Sequence, residues 1–92
     1  MDIKSILAEE RRIWGASKMK FLEIVMAMGK VFGDICRWGR NAKKDRAMHT
    51  DHELKKEMGN MIVSTVRWCD DLGYDPEECI DLALRAQEKF EK

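Results

Sequence analysis

One helix ends and another begins within Leu72-Gly73-Tyr74-Asp75-Pro76-Glu77-Glu78. Gly73 favours a helix end, because glycine adopts the left-handed backbone at no steric cost. Asp75 is a typical N-cap, Pro76 suits the first helical position, and Glu78 completes a capping box. The stretch therefore predicts a tight helical hairpin. Five apolar residues of the helix that follows the turn, the fourth of the chain, are expected to face inward: Cys79, Ile80, Ala83, Leu84 and Phe90.

The helix before this hairpin begins at another capping box, formed by Thr50 and Glu53. We place this third helix from about Asp51 to about Leu72, where Gly73 ends it. Its apolar residues recur at helical spacing. They are Leu54, Met58, Met61, Ile62, Val66 and Cys69.

Further upstream, a second long helix is predicted from about Lys18 to Trp38, with Ser17 as its N-cap. Gly29 and Gly33 lie four residues apart within it and allow a neighbouring helix to approach closely. Its apolar residues form one broad stripe. The stripe contains Phe21, Ile24, Val25, Met28, Val31, Phe32 and Ile35, opposite Glu23, Lys30, Asp34 and Arg37.

A first helix is predicted from about Ile3 to Trp14, and Gly15 supplies the break after it. Glu10 occupies a position in this helix where an apolar residue is expected. The fold class is therefore all-α, a four-helix bundle with two long central helices. With 92 residues, the chain forms a single domain over 1–92.

Composition narrows the class of protein. Seventeen Lys and Arg balance seventeen Asp and Glu, which argues against a dedicated nucleic-acid binder. No apolar run approaches the length of a bilayer span, and the start has no signal-peptide core, so we expect a cytoplasmic protein without membrane contact. We interpret Cys36, Cys69 and Cys79 as reduced small hydrophobes, with a Cys69–Cys79 bridge as the alternative.

The third helix and the hairpin resemble the MazG-like nucleotide pyrophosphohydrolases. The resemblance rests on Glu53-Leu54-Lys55-Lys56-Glu57-Met58-Gly59-Asn60 and on the Leu-Gly turn before the capped helix, and covers the chain from about Ile6 to Phe90. The family has Glu-Leu-x-x-Glu-x-Gly-Asp in the first of these segments. In the second helix, Ala27-Met28-Gly29-Lys30-Val31 lies where the family carries Glu-Glu-x-x-Glu.

The resemblance implies an all-α fold and a magnesium site built from four acids. A Glu-x-x-Glu pair on one helix faces a Glu-x-x-Asp pair on the next. The metal bridges the triphosphate and helps to activate the water that cuts between the α and β phosphates. Magnesium requires such a site because it prefers carboxylate and water oxygens.

This chain departs from the family pattern at the metal ligands. Met28 and Val31 replace the first pair, and Glu57 with Asn60 replaces the second, so one acid of four is kept. We therefore expect no metal cofactor, with Glu57 and Asn60 as a vestigial pair, and a cleft filled with hydrocarbon. The alternative is that these residues simply pack a small bundle unrelated to any lost site.

The expected function is binding of a nucleotide or a protein partner by a MazG-like pseudoenzyme. The rival function is an active nucleoside triphosphate pyrophosphohydrolase that uses Glu57 and Mg²⁺ in a reduced site. A third is a structural oligomerisation module. The candidate ligand-binding residues combine a basic segment with the vestigial pair. They are Arg37, Trp38, Arg40, Lys43, Lys44, Glu57 and Asn60.

His49 and His52 are three residues apart, but no third metal ligand stands nearby in the sequence, so we interpret them as surface histidines. The chain is also expected to form a homodimer or homotetramer. A thin bundle of this length leaves apolar surface uncovered, and the second helix is apolar over more than half of its circumference. The resemblance implies the same assembly.

Overall fold

The computed structural model describes residues 1–40 and 49–90. In these ranges the chain forms four α-helices: α1 (Ile3–Trp14), α2 (Phe21–Arg40), α3 (Asp51–Asp71) and α4 (Pro76–Phe90). The predicted all-α class with four helices is confirmed for this part of the chain. The two long helices are α2 and α3, with 20 and 21 residues.

Side-chain caps begin α1 and α3. The Asp2 carboxylate accepts from the Ser5 N–H at 2.8 Å, and the Thr50 hydroxyl accepts from the Glu53 N–H at 3.1 Å. Each bond satisfies a backbone donor that has no partner inside its own helix. The predicted starts of both helices are therefore confirmed.

The hairpin between α3 and α4 has the predicted Gly73 turn and Asp75 cap, but within the described residues no hydrogen bond between Glu78 and Asp75 completes the predicted capping box. Gly73 has a φ of +84°, which a residue with a side chain adopts only with strain. The next N–H, that of Tyr74, donates to the Cys69 carbonyl at 3.0 Å and closes the end of α3. The Asp75 carboxylate then accepts from the Glu77 N–H at 3.0 Å at the start of α4.

The predicted start of α2 at Lys18 is wrong, because α2 begins at Phe21 and Ser17 does not cap it. The Glu23 carboxylate accepts from the Lys20 N–H at 3.0 Å instead. The preceding segment is occupied by contacts with α3, since the Lys18 ammonium lies 3.7 Å from the Asp70 carboxylate. The helix also extends to Arg40, two residues beyond the predicted end.

The core is small and centred on α3, which packs against each of the other three helices. Ile24 and Val31 from α2 and Trp68 from α3 form its buried cluster. Three half-buried apolar residues pack against this cluster: Met19, Ala27 and Met61.

Two predicted apolar faces pack differently from expectation. Of the α2 stripe, only Ile24 and Val31 are buried, whereas Phe21 and Phe32 are 57% and 60% exposed. The inward face predicted for α4 is wrong beyond Cys79, which is half-buried. Ile80, Ala83, Leu84 and Phe90 are all exposed, because the elements described in residues 1–40 and 49–75 leave this part of α4 largely uncovered.

No helix in the described ranges combines the length and the apolar character that crossing a bilayer requires.

Candidate functional site

A cleft between α2 and α3 lies beside the core and holds a cavity of about 240 Å³. Side chains three and four residues apart share one face of a helix, so each of the two helices presents a row of them to the cleft. We call it the α2–α3 cleft. Its lining consists of Trp14, Met19, Ala27, Lys30, Val31, Asp34, Asn60, Ser64, Arg67 and Trp68.

Trp68 is the most buried aromatic side chain of the cleft lining, with 2% of its surface exposed. Its indole Nε1 is buried and has no hydrogen-bond acceptor within the described residues. A buried donor without a partner costs about 1–3 kcal/mol. An unpartnered buried donor of this kind is available to a water molecule or a ligand in the cleft.

Arg67 is a buried cation in the same wall, with 8% of its side chain exposed. Its Nε donates to the Glu10 carboxylate at 3.2 Å, and Asp71 lies one turn further along α3 with an oxygen 4.0 Å away. The guanidinium also lies over the Trp14 ring, 4.9 Å from its centre. Glu10 and Asp71 therefore balance the charge of Arg67 inside the bundle.

Arg11 links α1 to the end of α3 beside this buried pair. Its Nη2 donates to Asp70 at 2.6 Å and to Asp71 at 2.5 Å. Such charge-assisted bonds are shorter and stronger than bonds between neutral groups. The hydrogen bond from Arg11, supported by the nearby Lys18 ammonium, holds the pKa of Asp70 below its ordinary value.

The lowered pKa of Asp70 predicts a loss of stability in acid. A carboxylate whose pKa is lower in the folded than in the unfolded state stabilises the fold above its unfolded pKa, and this contribution disappears as the pH falls through its folded pKa. Below about pH 4 the wild type should therefore lose part of its urea midpoint. Asp70→Asn and Arg11→Gln should both flatten this fall. A midpoint profile of Asp70→Asn that runs parallel to the wild-type profile would contradict the assignment.

The vestigial pair lies on the α2-facing side of α3, but only one of its members lines the cavity. Asn60 does so, and its side-chain oxygen accepts from the Ser64 hydroxyl at 3.2 Å. Glu57 is half-buried one turn earlier and is not part of the lining. The structure therefore does not bring Glu57 and Asn60 together in the cavity wall.

The first-pair positions are separated in a similar way. Val31 is buried and lines the cleft, whereas Met28 is 40% exposed and lies outside the lining. Ala27 and Lys30 occupy the corresponding wall of α2 instead. The expected filling with hydrocarbon is wrong, since a cavity with a partly polar lining is present between the two helices.

The basic segment is described only up to Arg40, so Lys43 and Lys44 lie outside the described residues. Arg37 is exposed and its guanidinium is 3.9 Å from the Asp34 carboxylate. Trp38 is half-buried, and its Nε1 donates to the Thr50 carbonyl at 2.9 Å. These contacts give Trp38 a structural role at the end of α2, and Arg40 is exposed beside it.

The histidines do not combine with other ligands into a metal centre. Within residues 1–40 and 49–90, no three His, Cys, Asp or Glu side chains come close enough together to hold an ion. His49 instead stacks on Trp38, with ring centres 3.9 Å apart and planes 20° apart.

The three cysteines are free thiols. Burial, and secondarily the neighbouring Cys79 thiol, raise the pKa of Cys69 to about 11.

The buried ionic network was not predicted from the sequence; it consists of Glu10, Arg11, Arg67, Asp70 and Asp71. One signal for it was present, because Glu10 interrupts the apolar positions of α1. A second is the spacing of Arg67 and Asp71, which places opposite charges one turn apart on the helix.

Comparisons with protein-family models, with curated proteins and with solved structures found no match to this chain.

Proposed function

We propose that this chain is a MazG-like helical domain that acts by binding, as a homo-oligomer, without magnesium-dependent turnover. The family assignment rests on the motif around Glu57 and on the hairpin sequence. The observation that carries the function is the lining of the α2–α3 cleft, because it offers hydrogen-bond donors where hydrolysis would require acids.

The charges of the cleft suit a ligand that carries acceptor oxygens. Lys30 brings a cation into its lining, whereas Arg67 is already paired with Glu10 and the one carboxylate of the lining, Asp34, faces Arg37. Mg²⁺ is held by carboxylate oxygens together with substrate phosphates, so this lining is a poor magnesium site. A nucleotide is the small ligand that agrees with the family resemblance.

The rival function, an active pyrophosphohydrolase, relies on Glu57 as its remaining acid. An assay of pyrophosphate release from a panel of nucleoside triphosphates with Mg²⁺ separates the two. We expect turnover far below the order of 1 per second that is ordinary for enzymes. Release near that rate, abolished by Glu57→Gln, would establish the enzyme instead.

A variant with restored acids provides the positive control for magnesium binding. Ala27→Glu, Lys30→Glu and Asn60→Asp together place three acids in the lining of the cavity. Mg²⁺ should raise the melting temperature of this variant, since a ligand that binds only the folded state stabilises it. The wild type should not respond.

The homo-oligomer is supported by a second apolar face of α2, directed away from α3. At 100° per residue, no charged residue of α2 before Arg40 falls on this face. The exposed fractions of its six large side chains range from 40% to 77%. We call it the outer face of α2, formed by Phe21, Leu22, Val25, Met26, Met28, Gly29, Phe32, Gly33 and Cys36.

The surface area supports the same proposal. The chain exposes 7490 Å², whereas a compact monomer of its mass exposes about 5500 Å². Its radius of gyration is 15.3 Å, against about 12 Å for a compact domain of this length. A standard interface buries about 800 Å² on each partner, so the excess is large enough for an extensive contact between copies.

The proposal places the chain in the cytoplasm, where free thiols stay reduced. A purely structural oligomerisation module would share the outer face of α2, but it would not require Lys30 in the lining of the cleft.

A further inference from the structure

Among the described residues, the buried and half-buried positions of helix α4 are confined to its first turn. Pro76 is buried and Cys79 is half-buried, whereas every residue from Ile80 to Phe90 is exposed. A helix of 15 residues is marginal in water on its own, so helices of this length are stabilised by packing of an apolar face. The packing that α4 makes within the chain covers only its start.

The exposed part of α4 carries a face made for such packing. Ile80 is 42% exposed, Leu82 and Leu84 are 61% and 60% exposed, and Phe90 is 89% exposed. Together with Ala83 and Ala86 they form an apolar arc around α4 in which Gln87 is the single polar residue. The charged residues lie on the opposite side of the helix, where Arg85 pairs with Asp81 at 2.9 Å.

A complementary groove lies on the same chain, at the base of α4. It encloses about 230 Å³ between the start of α1, α3 and the start of α4, with Ile3, Ile62, Val66 and Ile80 in its lining. Met58 lies one turn before Ile62 on the same side of α3, and both are exposed, at 47% and 61%. This side of α3 would be covered if α4 ran closely along it, but α4 diverges after its first turn.

The presence of both apolar surfaces on one chain, together with the amount of uncovered surface, indicates a second copy of this chain as the occupant. The exposed area exceeds that of a compact monomer by roughly 2000 Å², more than twice what one partner buries in a standard interface. The outer face of α2 accounts for one interface. The apolar arc of α4 beyond Ile80 and the groove account for another, and each is what the other lacks.

We propose that α4 of one copy lies in the groove of its partner, along Ile62 and Met58 of that partner, while the partner's own α4 does the reverse. This reciprocal exchange is the self-complementary form that a two-fold interface takes. The inference rests on the homo-oligomer of the proposed function and assigns α4 and the groove to it as an interface separate from the outer face of α2.

Cross-linking with mixed isotopes tests this assignment on the full chain. A photoreactive benzophenone residue replaces Leu84, and light and ¹⁵N-labelled proteins are refolded together before illumination. We expect cross-links from position 84 to the segment 58–66, and half of them should join a light peptide to a heavy one. Links between peptides of the same isotope alone would show an intramolecular contact and overturn the inference. Mixed links that lead to α2 rather than to α3 would also overturn it.

A matched pair of variants gives a second measurement. Leu84→Glu places a charge in the apolar arc, and Arg85→Gln changes the charge by one unit on the opposite side of α4. Leu84→Glu should raise the dissociation constant of the oligomer at least tenfold, and Arg85→Gln should leave it within twofold. Equal dissociation constants for Leu84→Glu and wild type would contradict the inference. A wild-type mass near 10.8 kDa would overturn the homo-oligomer itself, whereas an oligomer without links to α4 overturns only this assignment.

Discussion

Replacing Arg67 by methionine should lower the free energy of unfolding by about 3–5 kcal/mol, the cost of breaking a buried ion pair by removing one partner. The substitution keeps the length and the apolar stem of the side chain but removes its charge. Glu10, whose side chain is 7% exposed, then has no cation of the described residues beside it, whereas Asp71, whose side chain is fully buried, keeps its hydrogen bond to Arg11. Urea or thermal unfolding monitored by circular dichroism measures the loss.

Two further variants show whether the charge is responsible. Arg67→Met combined with Glu10→Gln should recover a large part of the loss, because it removes the buried acid that is left without a cation. Arg85→Met breaks the exposed pair of Arg85 and Asp81 on α4, and should change stability by less than about 1 kcal/mol. Equal effects of Arg67→Met and Arg85→Met would show that the buried network contributes no more than a surface pair.

The helix ends that could be predicted are those with local causes. The starts of α1 and α3 depend on caps within three residues, and the hairpin depends on Gly73, Asp75 and Pro76. The start of α2 depends instead on Lys18, which contacts Asp70 more than fifty residues later in the chain. No local pattern contains that contact, so the sequence places the start three residues too early.

The ionic network beside the candidate site could not be predicted for the same reason. Glu10 and Arg67 are each ordinary surface residue types when read alone, and only the packing of α1 on α3 brings them together, 57 residues apart. The helical pattern did predict α2 and α3, and the family resemblance placed a cleft between them. The pattern does not indicate which part of the broad apolar stripe on α2 faces α3, because nearly every position across the stripe is apolar.

The exposed part of this stripe, the outer face of α2, is where we expect the second large effect, which is on self-association. Met26 is 77% exposed at the outer face of α2 and is not part of the core cluster. Met26→Glu should therefore fold as the wild type does but halve the mass of the oligomer. An unpaired charge buried in an interface costs several kcal/mol, so the dissociation constant should rise about 100-fold or more.

Light scattering at micromolar concentration checks this expectation, with Arg37→Gln as the control. Both substitutions lower the net charge by one, but Arg37 lies on the polar side of α2, so its variant should keep the wild-type mass. Gly29→Ala separates folding from assembly. An added Cβ meets nothing within 4 Å inside the chain, so it should stabilise the helix by about 1 kcal/mol, yet weaken a close crossing of two α2 helices. A wild-type mass near 10.8 kDa would refute the homo-oligomer, and an unchanged mass of Met26→Glu would remove the outer face of α2 from its interface.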